Sequence, residues 1–480
     1  MNPFVALFVA FCSGNILWQE SNVANPKSGV EISFRVGRVK AYRRGKVWYL
    51  YYFENGQRRR PRIGPSQTAA KRMAAQINGQ LETGAPGELS FEPISIDELR
   101  SAWLNHHETV RRSSLSTINR YRTATDHFLR FLERQPIRVA SHFRVCHAEE
   151  FVGYLRSLRV APNGHAHSAK RPLLDKGILF ILEACRALFT YAAKRRHMPP
   201  YAENPFSALE LGKMPVDHRR AISLPNGDQV VAFLEALDDW SFAIFVTLAL
   251  TGLRPGELVH LLVEDFDPKD GLLHIRNRPE LGWQVKTRRD RTLPLLVSHT
   301  RILKRMLGSR ACGTLFARIQ FSANTIPSWA TSSTSIAAEL RHQEQTQESI
   351  IGRPLSRSEQ SVICRRIWWK LGMVKTDQIR TRLMRHSKTS GIHELATPKI
   401  FRHTFATTLQ EGRVDPLIRN ELLGHIPEDG PRSGGGLGMT ANYTHTRIET
   451  KRAQLEDAFR QHPIRVLLEK RLCNSEPEVA

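Results

Sequence analysis

The chain has 480 residues, with 70 Lys and Arg against 46 Asp and Glu, for a formal net charge of +24. Hydrophobic residues make up 41%, which supplies real cores, argues against wholesale disorder, and at this length suits about three domains. So large a cationic surplus implies a polyanionic partner. Nucleic acid comes before an anionic membrane surface, because no basic amphipathic helix with an aromatic face is visible. The six cysteines lie far apart with no CxxC pair, which speaks against a zinc ribbon or a disulfide framework and fits a reducing cytoplasm. No apolar run is long enough to span a membrane, and the opening MNPFVALFVAFCSGNILW lacks the positive segment of a secretory signal. A cytoplasmic location is expected.

Residues 1–35 are expected as a poorly ordered extension. Residues 36–84 read as a small β-β-β-α unit. Val47 to Phe53 is rich in aromatic and β-branched residues, and Asn55-Gly56 signals a hairpin turn. Arg58, Arg59, Arg60 and Arg62 follow, and Ser66 caps a helix that closes at Gly84. This basic ribbon either enters a DNA groove or is a solvated hairpin whose arginines keep an edge strand soluble. TGAPGELSFEP then reads as a linker.

A helical domain is predicted over 92–207. Ile118, Tyr121, Phe128 and Leu132 share one face, as do Leu174, Ile178, Ile181, Cys185, Leu188 and Phe189. Arg111, Arg112, Arg120, Arg122, Lys170 and Arg171 point outward; singly they are solvated charges, and together half of a clamp. Residues 220–462 form a mixed α/β domain, and 463–480 a tail. SFAIFVTLALTG is a buried helix stopped by Gly252, and Pro255 opens the next, PGELVHLLVEDF. GLLHIRN, GWQVKT and RTLPL read as strands, with Thr287–Asp290 as a turn that places Lys286 at a hairpin tip. Residues 318–396 form a long polar stretch around one helix at Val362–Leu371. Thr397 caps a helix with Pro398 at its first position, stopped by Gly412; Asp415-Pro416 starts another, ended by Gly424. The fold class is mainly α with small β-sheets (α+β).

Breaking a DNA phosphodiester without a metal needs a nucleophile, cations at the non-bridging oxygens, and an acid for the leaving 5′-oxygen. Forked guanidinium donors suit the charge that gathers on the phosphorane. The chain has no GxxxxGK[ST] loop and no carboxylate cluster for two-metal nuclease chemistry. If a tyrosine is the nucleophile, its bond conserves the energy of the phosphodiester, so neither metal nor ATP is needed and no cofactor is expected.

Four segments, ALTGLRPGEL, VKTRRDRTLPL, TPKIFRHTFATTL with LLGH, and MTANYTHT, resemble in order and spacing the catalytic domain of the tyrosine recombinase (phage integrase) family. The resemblance is strong over about 224–460 and topological before that, where the family carries an arm-type β-rich unit and a helical core-binding domain. It implies that Arg254 and Arg402 bind the phosphate, that Glu257 supports the site, and that Lys286 is the general acid. It also implies that His425 donates to a phosphate oxygen and that Tyr443 is the nucleophile. Lys399 stands where the family usually has a histidine that assists proton transfer. His425 and Tyr443 are 18 positions apart, more than the family's pattern, the surplus being the Gly-rich PEDGPRSGGGLG. His403 and the flanking Phe405 and Leu409 are expected to pack rather than react.

The reading is a site-specific DNA recombinase that acts through a 3′-phosphotyrosyl intermediate. A catalytically inactive DNA-binding protein of the same fold, or a type IB topoisomerase-like relaxing enzyme, are the alternatives. The resemblance implies double-stranded DNA as partner, a homotetramer on two duplexes, accessory DNA-bending proteins, and C-terminal segments exchanged between protomers. Residues 447–472 either supply such a segment or pack on their own domain.

Overall fold

The computed structural model describes residues 33–54, 56–83, 91–161, 167–200, 202–212, 223–321, 325–425 and 446–473. The chain divides into two compact units, Met1–Arg219 and Arg220–Ala480. The fold is mainly helical with small antiparallel sheets.

The first unit opens with five short strands: β1 (Ser33–Val36), β2 (Val39–Arg44), β3 (Val47–Glu54), β4 (Gln57–Arg59) and β5 (Arg62–Gly64). Strand β1 lies partly inside the stretch expected as an extension. Period-two alternation in β3 buries Trp48, Leu50 and Tyr52 on one face. There they share a core with Ala70, Ala74 and Ile77 of helix α1 (Gln67–Glu82), and Ser66 caps that helix through the Ala69 amide. The opposite face keeps Tyr42 stacked on Tyr49 at 5.7 Å, with Arg58 and Arg60 over the Tyr51 ring. Asn55 and Gly84 lie outside the described residues.

Four helices follow in the same unit: α2 (Ile96–Thr109), α3 (Leu115–Leu132), α4 (Val145–Ser157) and α5 (Asp175–Lys194). Ser95 and Glu98 close a capping box on α2. A two-residue pairing of β6 (Arg159–Val160) with β7 (Arg171–Pro172) bridges α4 and α5. The core centres on Phe128, Phe143, Phe151, Phe189 and Phe206. Leu174, expected on the buried face of α5, is instead the extended residue before its first turn and is 42% exposed.

The second unit is built around α7 (Asp239–Thr251), buried on all sides, which packs against α13 (Lys399–Glu411) through Phe245 and Phe401. Helix α6 (Gly227–Glu235) precedes it and α8 (Pro255–Val259) follows. Strands β8 (Phe266–Asp267), β9 (Leu272–Ile275) and β10 (Arg291–Pro294) form a sheet in the order β10-β9-β8. Next come α9 (Val297–Leu307), α10 (Ser333–Ile351), α11 (Arg357–Lys370) and α12 (Thr376–Ser390). After α13, the chain adds α14 (Pro416–Leu423), α15 (Ile448–Ala458) and α16 (Ile464–Cys473).

Four sequence expectations are corrected here. Residues of GWQVKT make only an isolated bridge, Arg278 to Trp283, so Lys286 lies in a turn of the β9–β10 loop and not at a strand end. Helix α8 stops at Val259, because the chain tightens into a 3-10 turn at Val263–Asp265. The polar stretch holds three helices, of which α10 and α12 bury so few side chains that apolar periodicity missed them. Pro398, not Thr397, caps α13, and no side chain bonds to its first amides. Helix α16 packs on its own unit: Leu467 and Leu468 are buried, Ser298 bonds Glu469 at 2.5 Å, and Lys470 pairs with Glu235 at 3.1 Å.

Candidate functional site

The first anchor is the α7–α8 junction. Gly252 ends α7 at φ +60, in the left-handed region, and a Cβ there would come within 2.5 Å of the Phe405 ring. Arg254 then takes the extended cap position and Pro255 starts α8. Glu257, on the first turn, is buried and reaches back to the cap: its Oε2 accepts from the Arg254 amide at 3.0 Å and its Oε1 from Arg254 Nη1 at 2.7 Å. The Arg254 side chain is thereby aimed and keeps 26% exposure.

A second arginine completes the carboxylate's shell. Arg291, the first residue of β10, donates Nη1 to Glu257 Oε1 at 3.2 Å and Nη2 to Oε2 at 2.7 Å. Its Nε also donates to the Leu422 carbonyl at 3.3 Å, which ties the sheet to the end of α14. Burial alone raises the Glu257 pKa, but the hydrogen bonds and charges of Arg291 and Arg254 outweigh it and hold the carboxyl below its ordinary value.

Arg402 comes from α13 and is buried. Its Nη1 donates to the Gly252 carbonyl at 2.8 Å, and its Nη2 to Leu423 O at 2.5 Å and to His425 Nε2 at 2.9 Å. A guanidinium can only donate, so Nε2 is the acceptor and the ring proton of His425 sits on Nδ1. Burial, then the charges of Arg254 and Arg291 offset in part by Glu257, bring the Arg402 pKa down to about 10. Partial burial and then the field of Arg402, Arg254 and Arg291 likewise hold His425 below the usual histidine value and favour the neutral ring. Gly424, at φ +64, turns the chain so that His425 meets Arg402.

Two guanidinium groups, those of Arg254 and Arg291, thus bond one buried carboxylate, and Arg402 is anchored on carbonyls and His425 with no carboxylate partner among the described residues. Such a cluster carries excess positive charge in a partly desolvated place and is suited to an anion with several oxygens. Hydrogen bonds bring together Arg254, Glu257, Arg402 and His425 of the residues singled out from sequence. Lys286 and Lys399 are exposed and make no hydrogen bond to this cluster among the described residues. Tyr443 lies outside the described residues, with the whole of 426–445. His403 points from α13 into a neighbouring groove with Thr407, Arg419 and His425.

Arg291 is the member of the cluster that the sequence analysis did not single out. A signal was available: it opens the alternating run RTLPL and is the one of Arg288, Arg289 and Arg291 placed on the strand.

A largely helical unit thus gathers three arginines, a buried carboxylate and a histidine into one cationic cluster. The phage integrase family matches over residues 226–449. Tyrosine recombinase XerC 2 of Ralstonia nicotianae is 24% identical over 398 residues, covering 80% of this chain and 92% of that protein. Tyrosine recombinase XerC of Pelobacter propionicus is 24% identical over 212 residues, covering 43% and 48%. Among solved structures, a lambda integrase dimer bound to a COC′ core site covers 80% of this chain and 92% of that chain at 16% identity and a TM-score of 0.45. The part of the chain that carries the cluster is thus similar to the phage integrase family, and the chain over most of its length to a tyrosine recombinase.

Proposed function

We propose that this protein cleaves and rejoins double-stranded DNA at specific sites, through a 3′-phosphotyrosyl intermediate formed by Tyr443. The supporting observation is the carbonyl-anchored Arg402 beside Arg254, two cations in a partly buried cluster served by a single carboxylate. A scissile phosphate seated there takes its non-bridging oxygens onto the Arg254 and Arg402 guanidiniums. The Nδ1–H of His425 supplies a further donor. These donors gain strength as charge builds on the phosphorane, so they favour the transition state over the ground state.

Attack by the Tyr443 phenolate on phosphorus forms the P–O bond to tyrosine and breaks the P–O5′ bond. The leaving 5′-oxygen takes a proton from Lys286, and Lys399 assists transfer of the phenol proton. The 3′-phosphotyrosyl bond keeps the energy of the phosphodiester. A 5′-hydroxyl can therefore reverse the step on the same or another strand, with no metal or ATP consumed. Strand exchange places four such chains on two duplexes, and accessory DNA-bending proteins belong to the same reading.

The test uses nicked duplexes cut from the DNA flanking the protein's own coding sequence, with denaturing electrophoresis to find protein linked to a 3′ end. The parent is expected to form this adduct, and Tyr443→Phe to bind equally well and form none. An adduct with Tyr443→Phe would reassign the nucleophile; none with the parent on any flanking duplex would favour a DNA-binding protein without strand transfer.

A further inference from the structure

Helices α10 and α11 build an apolar core of their own from Ile336, Ala337, Leu340, Ile363, Cys364, Ile367 and Trp368. That core is not closed on itself, for it takes in Leu262 beyond α8 and Leu281 in the β9–β10 loop. Polar bonds fix the junction. Trp368 Nε1 donates to the Leu281 carbonyl at 2.9 Å, in buried surroundings. Glu264 accepts from the Ser333 amide at the start of α10, at 3.1 Å, and from Arg278 of the loop at 2.5 Å. Gly282 has φ +68, and a Cβ there would meet Cys364 Sγ at 2.4 Å, so only glycine lets the loop lie this close to α11.

The next residue, Trp283, lies flat on His260, with ring centroids 3.7 Å apart and planes 6° apart. Trp368 meets the same imidazole edge-on at 4.7 Å. His260 caps the end of α8, the helix that carries Glu257, and its Nδ1 bonds the Gly256 carbonyl at 2.7 Å. Burial pushes its pKa down to about 4, so the ring trio is uncharged at neutral pH. One point of packing therefore joins α11, α8 and the loop. From there the chain runs directly to Lys286, steadied by Val285 N on Asn277 Oδ1 at 3.0 Å and Arg288 N on Val285 O at 2.8 Å.

We propose that the α10–α11 hairpin is a brace that holds the Lys286 loop in register with the Arg254 helix, with Trp283 and Trp368 as positioning residues for Lys286. This rests on the reading of Lys286 as the proton donor to the leaving 5′-oxygen. A long side chain on an exposed turn can serve that role only if the turn is held, since displacement of a reacting group by about 1 Å costs on the order of 10²-fold in rate. The loop has only the isolated Arg278–Trp283 bridge in place of a strand ladder, and the aromatic trio with the Trp368 bond fixes that bridge against α8 and α11.

The test compares full-length parent, Trp283→Ala, Trp368→Phe and Lys286→Ala. Trp368→Phe keeps an aromatic ring in the core while removing the donor and part of the ring volume, a milder change that remains informative if Trp283→Ala fails to fold. In amide exchange followed by mass spectrometry, both tryptophan variants should speed exchange across 281–290 by about tenfold while peptides from α13 stay unchanged. On nicked duplexes both should bind as the parent does and cleave more slowly by about 10- to 100-fold. A 5′-bridging phosphorothiolate should restore them, because sulfur leaves without a proton. Unchanged exchange at 281–290, or equal loss on the oxygen and sulfur substrates while Lys286→Ala is rescued, overturns the brace and leaves the acid role standing. If Lys286→Ala itself is not rescued, the acid role is wrong and the brace falls with it.

Discussion

Arg291 and Glu257 form a buried two-point ion pair, each guanidinium terminus on its own carboxylate oxygen at 3.2 and 2.7 Å. The pair links β10 to α8, and Glu257 in turn aims Arg254. Strand β10 thereby helps to set the orientation of Arg254.

Arg291→Ala leaves the buried Glu257 short of its principal partner. Breaking one side of such a pair costs on the order of 3–5 kcal/mol. Urea unfolding should show a loss of that size, whereas Arg289→Ala, at an exposed position in the loop before β10, should change stability by less than about 0.5 kcal/mol. Equal effects at the two positions would contradict the pairing.

The pH dependence follows from the depressed Glu257 pKa. Its folded value lies below the ordinary 4.5. The charged carboxylate therefore contributes its full stability above about pH 4.5, and that contribution is lost as pH falls through the lower folded value. Glu257→Gln should be much less stable than the parent at neutral pH, and the gap should narrow in acid below pH 4.5. Thermal melts at stepped pH measure this, and a gap constant down to pH 3 would rule it out.

Arg402 should separate chemistry from affinity. Arg402→Lys keeps a cation but cannot span Gly252 O, Leu423 O and His425 together. Adduct formation should fall by about 10²–10³-fold, with duplex binding within about twofold of the parent. Wild-type cleavage rates in this variant would remove Arg402 from the site.

Duplex affinity should fall steeply with salt, the logarithm of the binding constant dropping by roughly 0.9 per logarithmic unit of salt for each phosphate contact. A net charge of +24 supports many such contacts. Filter binding from low to moderate salt gives the slope, and a value near zero would exclude phosphate-dominated binding.

Much of this architecture was legible in the residues themselves. Caps and stops are local chemistry, so Ser66, Gly252, Pro255, Asp415-Pro416 and Gly424 marked helix ends that the structure keeps. The uninterrupted apolar run of α7 announced a helix buried on all sides, and the arginine, glutamate and histidine of the cluster stood out by motif. Helices α10 and α12 did not, because each buries only a narrow strip of three side chains under a largely polar surface, which leaves a sparse apolar period. Nor could sequence tell which cation near Lys286 is structural. Arg288, Arg289 and Arg291 are the same residue type within four positions, and only the approach of β10 to α8 buries one of them on Glu257. The contact of Trp283 with His260 and Trp368 is likewise a property of the folded chain, since it joins three segments far apart in sequence. Local sequence determines where helices start and stop, through hydrogen bonds within a few residues. The pairing of buried charges and rings is decided by long-range packing, where geometry selects one partner among several chemically equal ones.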